Sequence, residues 1–175
     1  MAKAMLVAAC AAVLLAAPRP ALAGDTCFHV CLKQRMTAPD IDDQAIRDHM
    51  AACRHDCDEE TDARLKANGL YAKIAACTPQ PVDDADMKKI RSASPSVVAF
   101  ANAFTWDVKN VLPGKVIRRI EIATQNMALQ EVTITAAGVV EPGETGTFFM
   151  NNVADGYPSL RPASRIKAIY ACSIE

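Results

Sequence analysis

The chain has 175 residues, with 19 basic against 20 acidic side chains and a formal net charge of −1 at neutral pH. That balance excludes nucleic acid as the main partner, because neutralising phosphates takes a basic patch.

Residues 1–23 carry the three parts of an export signal: a basic start at Lys3, an apolar run over 4–17, and Ala21-Leu22-Ala23 before Gly24. Cleavage is expected after Ala23. The apolar run falls short of the roughly 20 residues that span a bilayer, so no stable membrane insertion is expected after cleavage. Val7-Ala8-Ala9-Cys10 resembles a lipoprotein box, but the apolar run continues well beyond Cys10, which reads as part of the signal's core. Removing Lys3, Arg19 and Cys10 turns the 19 basic residues into 17 against 20 acidic, a net charge of −3, and the seven cysteines into six. Six is even, and in an oxidising compartment an even set reads as a disulfide framework. The expected location is the periplasm, or outside the cell.

Cys27-Phe28-His29-Val30-Cys31 and Cys53-Arg54-His55-Asp56-Cys57 repeat one C-x3-C spacing. Side chains four apart lie on one face of a helix, so each unit points two sulfurs at a partner. The first helix is expected over 26–36 and the second from an Asp cap at Asp40 or Asp42 to Asn68-Gly69. Ile46, Met50, Cys53 and Cys57 form the buried stripe of the second. Antiparallel packing then pairs Cys27 with Cys57 and Cys31 with Cys53. A short third helix fits 70–76.

The region 24–77 is thus a stapled helical hairpin. Residues 78–95, with Pro79, Pro81, Pro95 and an acidic run at 83–86, read as a linker containing at most a helical turn at 87–91. From residue 96 onward Val, Ile, Thr and Phe dominate, and Gly and Pro punctuate. Val98, Phe100, Phe104, Trp106 and Val108 share one parity and are expected to form one half-buried strand. Further strands are expected over 115–124, 129–135, 145–150 and 165–173. The expected class is α+β: the hairpin, then an antiparallel immunoglobulin-like β-sandwich over 96–175. Cys77 and Cys172 remain, and their pairing would tie the two parts together.

Trp106-Asp107-Val108-Lys109-Asn110, Lys115-Val116-Ile117-Arg118 and the run from Val139-Val140 to Pro142-Gly143-Glu144-Thr145 together resemble the FxLYD-type immunoglobulin-like domains of exported bacterial proteins, over residues 96–173. The resemblance implies a binding or scaffold module with no catalytic residues to carry over. The hairpin resembles twin C-x3-C helical hairpins, such as small intermembrane-space chaperones and plant hairpin inhibitors, through its disulfide geometry.

His29 and His55 sit inside the C-x3-C units, but a residue two positions from a cysteine points about 200° around the helix axis. Each is therefore expected to face solvent or a partner, and disulfides would consume the thiolates that a metal needs. No metal or other cofactor is expected. No C-x-x-C redox motif occurs, and no Gly-x-Ser-x-Gly elbow accompanies the three histidines, so no catalytic residue is assigned. The connection 151–164 carries Tyr157 and Arg161, residue types that anchor protein contacts, and the hairpin connection carries Arg35. These three are the candidate contacts, although a purely structural loop is the plainer reading of 151–164. The functional expectation is a non-enzymatic binding or assembly accessory that recognises another envelope protein. The alternatives are a disulfide-hairpin inhibitor of a protease or lysozyme, and a metal-handling or thiol-redox protein.

Overall fold

The computed structural model describes residues 25–37, 39, 41–94, 97–154 and 163–174. The signal segment with Cys10, and the candidate contacts Tyr157 and Arg161, lie outside the described residues.

Two helices open the fold: α1 (Cys27–Arg35) and α2 (Asp43–Ala67). Thr26 caps the first, its side chain accepting the His29 N–H, and Asp42 caps the second by accepting the Ala45 N–H at 2.7 Å. Such caps satisfy amides that have no partner inside the helix. The second helix stops at Gly69, whose φ of +72° is the left-handed conformation glycine tolerates. There Leu70 N–H reaches back to Leu65 O at 3.0 Å and Gly69 N–H to Lys66 O at 3.2 Å, which closes the helix end. Cys27 is bonded to Cys57 and Cys31 to Cys53, with Cα separations of 5.9 and 5.6 Å. Equal four-residue steps on two antiparallel helices bring both pairs into range together.

A short helix α3 (Tyr71–Ala76) leads to Cys77, which is bonded to Cys172 across 95 positions. The stretch read as a linker is packed structure. It contains the two-residue strand β1 (Gln80–Pro81) and the helix α4 (Asp84–Ala93), capped by Asp83. Ile90 of α4 is fully buried, and Ser94 Oγ accepts the Lys109 N–H at 3.0 Å. The acidic run supplies the cap and first turn of this helix, where carboxylates are favoured by the helix dipole.

The strands that follow are β2 (Val98–Phe100), β3 (Ala103–Lys109), β4 (Lys115–Gln125), β5 (Glu131–Val140), β6 (Thr145–Asn151) and β7 (Arg165–Ser173). They form two antiparallel sheets, ordered β1-β7-β4-β5 and β2-β3-β6. One apolar cluster joins residues of both: Phe104, Trp106 and Val108 of β3 and Phe148 of β6 meet Ile117, Ile120 and Ile122 of β4 and Ile169 of β7. The other parity of the smaller sheet faces the hairpin, where Ala103 and Phe149 pack with Phe28, Ile46 and Met50. Strand β3 is therefore covered on both faces, not half-buried as its alternation predicts.

The single strand expected over 98–108 is a hairpin. Ala101 and Asn102 both have positive φ, 51° and 58°, and reverse the chain between β2 and β3. Val98 then lies opposite Thr105 and Phe100 opposite Ala103, on the face away from Phe104 and Trp106. Both stay more than half exposed, at 56% and 53%. The shared parity of these residues is real along the chain, but a tight turn between Phe100 and Phe104 breaks its meaning.

Three disulfides belong to an oxidising, non-cytoplasmic compartment. Among the described residues, no helix is long and apolar enough to cross a membrane.

Candidate binding groove

The hairpin lies on the outer face of the smaller sheet, and a polar ring of contacts fixes it there. His29 Nε2 donates to Asp107, at 2.8 Å from Oδ2 and 3.0 Å from Oδ1, which requires the proton on Nε2. Thr147 Oγ1 donates to Asp107 Oδ1 at 2.6 Å. Its only proton is thereby used, so Thr26 Oγ1, 2.6 Å away, is the donor in the next contact. Thr26 Oγ1 in turn accepts the backbone N–H of His29 at 3.4 Å, and the ring closes on the residue where it began. Both threonines are buried.

His29 is thus held by a partner within the fold while its side chain stays 34% exposed. It faces away from its flanking sulfurs, as helix geometry demands, but what it meets is β3. His55, on the outward side of α2, has a side chain 71% exposed and sits 3.4 Å from Glu59. In chemical terms the ring places Asp107 between hydroxyl and imidazole. The hydroxyl proton goes to the carboxylate, so the direct Thr-to-His contact that activates a nucleophile is not made.

Beside this ring, α1, α2 and the β5–β6 turn wall a groove of about 670 Å³. Arg54 spans its floor, donating through Nη1 to Thr147 O at 2.7 Å and through Nε to Asp58 Oδ2 at 2.9 Å. On the hairpin side Arg35 Nη2 holds Asp56 Oδ2 at 2.7 Å, so this expected contact residue lines the groove with its charge engaged. Arg64 Nη2 crosses to Glu141 Oε1 at 2.7 Å. Those three arginines face six lining carboxylates, Asp25, Asp56, Asp58, Glu60, Glu141 and Glu144, a balance of three negative charges. Asp25 is held by Lys33 at 2.9 Å, and that pairing lowers its pKa. Burial raises the pKa of Asp58, against the opposing pull of Arg54. A smaller hollow of about 300 Å³ shares Arg64, Glu141 and Glu144 with the groove.

The disulfide Cys27–Cys57 also lines the wall, with Cys27 exposed and Cys57 buried. Glu60 Oε2 lies 3.3 Å from Cys27 Sγ. A carboxylate at that distance opposes formation of a thiolate there, which works against exchange at this sulfur. Among the described residues, no group of three or more His, Cys, Asp or Glu side chains is arranged to hold a metal ion.

Arg35 is the one expected contact residue that the described structure places. Arg54, Arg64, Glu141 and Glu144 were not anticipated as groove residues. Arg54 and Arg64 are ten apart on one helix, about 80° apart around its axis, so they lie on neighbouring faces and local spacing alone does not bring both to one groove. Comparison with family models, with curated proteins and with solved structures returned no match.

Proposed function

We propose that the chain is an exported protein, cleaved after Ala23 and resident in the periplasm or secreted, that acts without catalysis as a binding or assembly accessory for another protein of the cell envelope. In this reading the two sheets are an immunoglobulin-like sandwich that serves as a rigid platform, and the partner lies in the groove between hairpin and β5–β6 turn. The observation that carries it is the charge of that groove. Its three arginines are each tied to a carboxylate, whereas Glu60 and Glu144 have no cationic partner among the described ion pairs. Such a surface favours a partner segment bearing lysine or arginine, and complementary charge chiefly sets encounter rate and register. Two disulfides hold the hairpin wall in one shape before binding, which limits the entropy lost on association. Inhibition of a hydrolase through Arg35 fits less well, because its guanidinium is engaged with Asp56.

The test is crosslinked capture from an envelope extract with the oxidised protein and with an E60K/E144K variant. The expected result is a discrete partner captured by the wild type, lost from the variant and weakened by salt. Capture of nothing, or of the same proteins by both, would overturn the reading.

A further inference from the structure

Each of the two sheets ends in two edge strands, and three of these edges are blunted. Strand β1 is two residues long and contains Pro81, β2 is three residues long, and the Thr147 carbonyl of β6 is held by Arg54 Nη1 at 2.7 Å. Such devices keep a sheet from growing at its rim. The remaining edge, β5, runs for ten residues and has neither an ionisable side chain nor a proline from Val132 to Val140.

Hydrogen bonding at the β4–β5 turn fixes which groups of this edge are open. Asn126 N–H donates to Gln130 O at 3.0 Å, so 126 and 130 form a hydrogen-bonded pair. Pairs alternate along an antiparallel ladder, which makes Gln125 with Glu131, Ala123 with Thr133, Glu121 with Thr135 and Arg119 with Ala137 the non-hydrogen-bonded ones. The N–H and C=O groups of Glu131, Thr133, Thr135 and Ala137 therefore point away from β4, and all four residues are exposed. After Ala137 the register shifts, because β5 carries an extra residue at 138–139, and beyond that point Val139 packs with Leu65 of α2.

We propose that residues 131–137 of β5 pair with the same residues of a second copy of this chain, antiparallel about a two-fold axis at Ile134, and join the two larger sheets into one. This register uses the whole straight stretch between turn and bulge. Glu131 then faces Ala137 of the other copy and Thr133 faces its Thr135, so the open main-chain groups bond one another and threonines pair across the seam.

Charge favours a second copy as the occupant. Arg119 sits on β4 directly opposite Ala137. Its guanidinium stacks on Tyr170 at 3.7 Å, Glu121 Oε1 stands 3.8 Å away, and its Nε is buried with no hydrogen-bond partner among the described residues. In the dimer, Glu131 of the other copy enters the same row two strands from Arg119, at about 10 Å between Cα atoms, with only the small Ala137 between them. Lys167 of β7 already spans β4 in this way, reaching Thr133 Oγ1 on β5 at 2.8 Å. A strand from another protein could take the same main-chain bonds, but two-fold symmetry obliges a second copy to set a carboxylate beside each Arg119. Such an interface also closes at two copies. The seam is small, so the dimer dissociates on dilution. The groove draws on β5 at Val139 and Val140, beyond the paired stretch, and this pairing stands independently of it.

The test is sedimentation equilibrium of the exported, oxidised protein from micromolar to millimolar concentration. The expected result is a monomer–dimer equilibrium, weakened about tenfold or more by T135P, which removes an outward N–H and sets a proline ring in the seam. R119E and E131K should each weaken it about fivefold, and R119E/E131K should recover it. Within one chain Arg119 lies opposite Ala137, six positions along β5 from Glu131, so recovery reports contact between copies. Should T135P fail to fold, as circular dichroism would report, the charge-swap set decides alone. The proposal is overturned if the wild type stays monomeric at millimolar concentration, or if it forms open-ended aggregates instead of a dimer. It is equally overturned if folded T135P dimerises as well as wild type, or if R119E/E131K dimerises no better than the single variants.

Discussion

His29 Nε2 sits 2.8 Å from Asp107 Oδ2 and thereby joins the first helix to the middle of a strand 78 positions later. The contact is the hinge pin of the tertiary structure. It closes a ring of hydrogen bonds through Thr147 and Thr26 and seats the hairpin on the sheet.

Breaking the ring should loosen the hairpin from the sheet without opening the hairpin itself, since the disulfides remain. H29A and D107N should each lower unfolding free energy by about 1–3 kcal/mol, because each leaves a buried or half-buried partner unpaired. In a double-mutant cycle the two losses should be non-additive by about 1 kcal/mol or more. Strictly additive losses in urea titrations would show that the two residues do not act together.

The disulfides should differ in weight. In the chain-entropy picture the Cys77–Cys172 bond, which spans 95 positions, accounts for about 4.7 kcal/mol. The hairpin bonds span 30 and 22 positions and would each account for about 3.5 kcal/mol alone. They are nested, however, so removing one leaves the other closing almost the same loop. C77S/C172S should therefore depress the thermal midpoint more than either C27S/C57S or C31S/C53S, and calorimetry of the three variants checks the order.

Asp86 predicts an acid-sensitive corner. Hydrogen bonds from Lys115 and Lys89, both at 2.9 Å, lower its pKa below the ordinary aspartate value, and the same contact raises that of Lys115. A carboxylate held low in the folded state binds its proton more readily unfolded, so its contribution is complete above the ordinary value near 4 and fades as pH falls through the lowered one. D86N should flatten the acid limb of stability below about pH 4 and lose about 1 kcal/mol or less at neutral pH, as expected of a pair whose lysines are solvent-exposed. Urea midpoints measured against pH report both effects.

Gly138 is a steric requirement. A Cβ built there would stand 2.7 Å from Phe148 Cε1, in the middle of the shared core. G138A should cost about 1–3 kcal/mol through overpacking, and F148L in the same chain should recover part of that loss. Equal stability of G138A and wild type would mean that the strands separate freely at this point.

The hairpin was legible in the sequence because its determinants are local. Cys27 and Cys31, like Cys53 and Cys57, are one helical turn apart, and that spacing alone orients four sulfurs. The break between helices and strands near residue 95 was legible for a similar reason: the strand formers of β3, β4 and β7 lie in continuous runs. The turn at Ala101-Asn102 was not, because neither residue advertises positive φ as glycine does, and the parity of Val98 through Val108 continued across it. Residues 78–95 read as a connection because Pro79, Pro81 and the acidic run outweighed Ile90, whose burial depends on a core assembled from distant strands.

By itself, the sequence determined the two helices of the hairpin, the extended runs of β4, β6 and β7 and which sulfurs share a helix face, since these follow from hydrogen bonds and side-chain directions within a few residues. Tertiary structure alone decided that Asp107 meets His29 and that Arg64 meets Glu141. Those relationships join positions tens of residues apart, and strand order and hairpin docking, which no local spacing encodes, choose the partners.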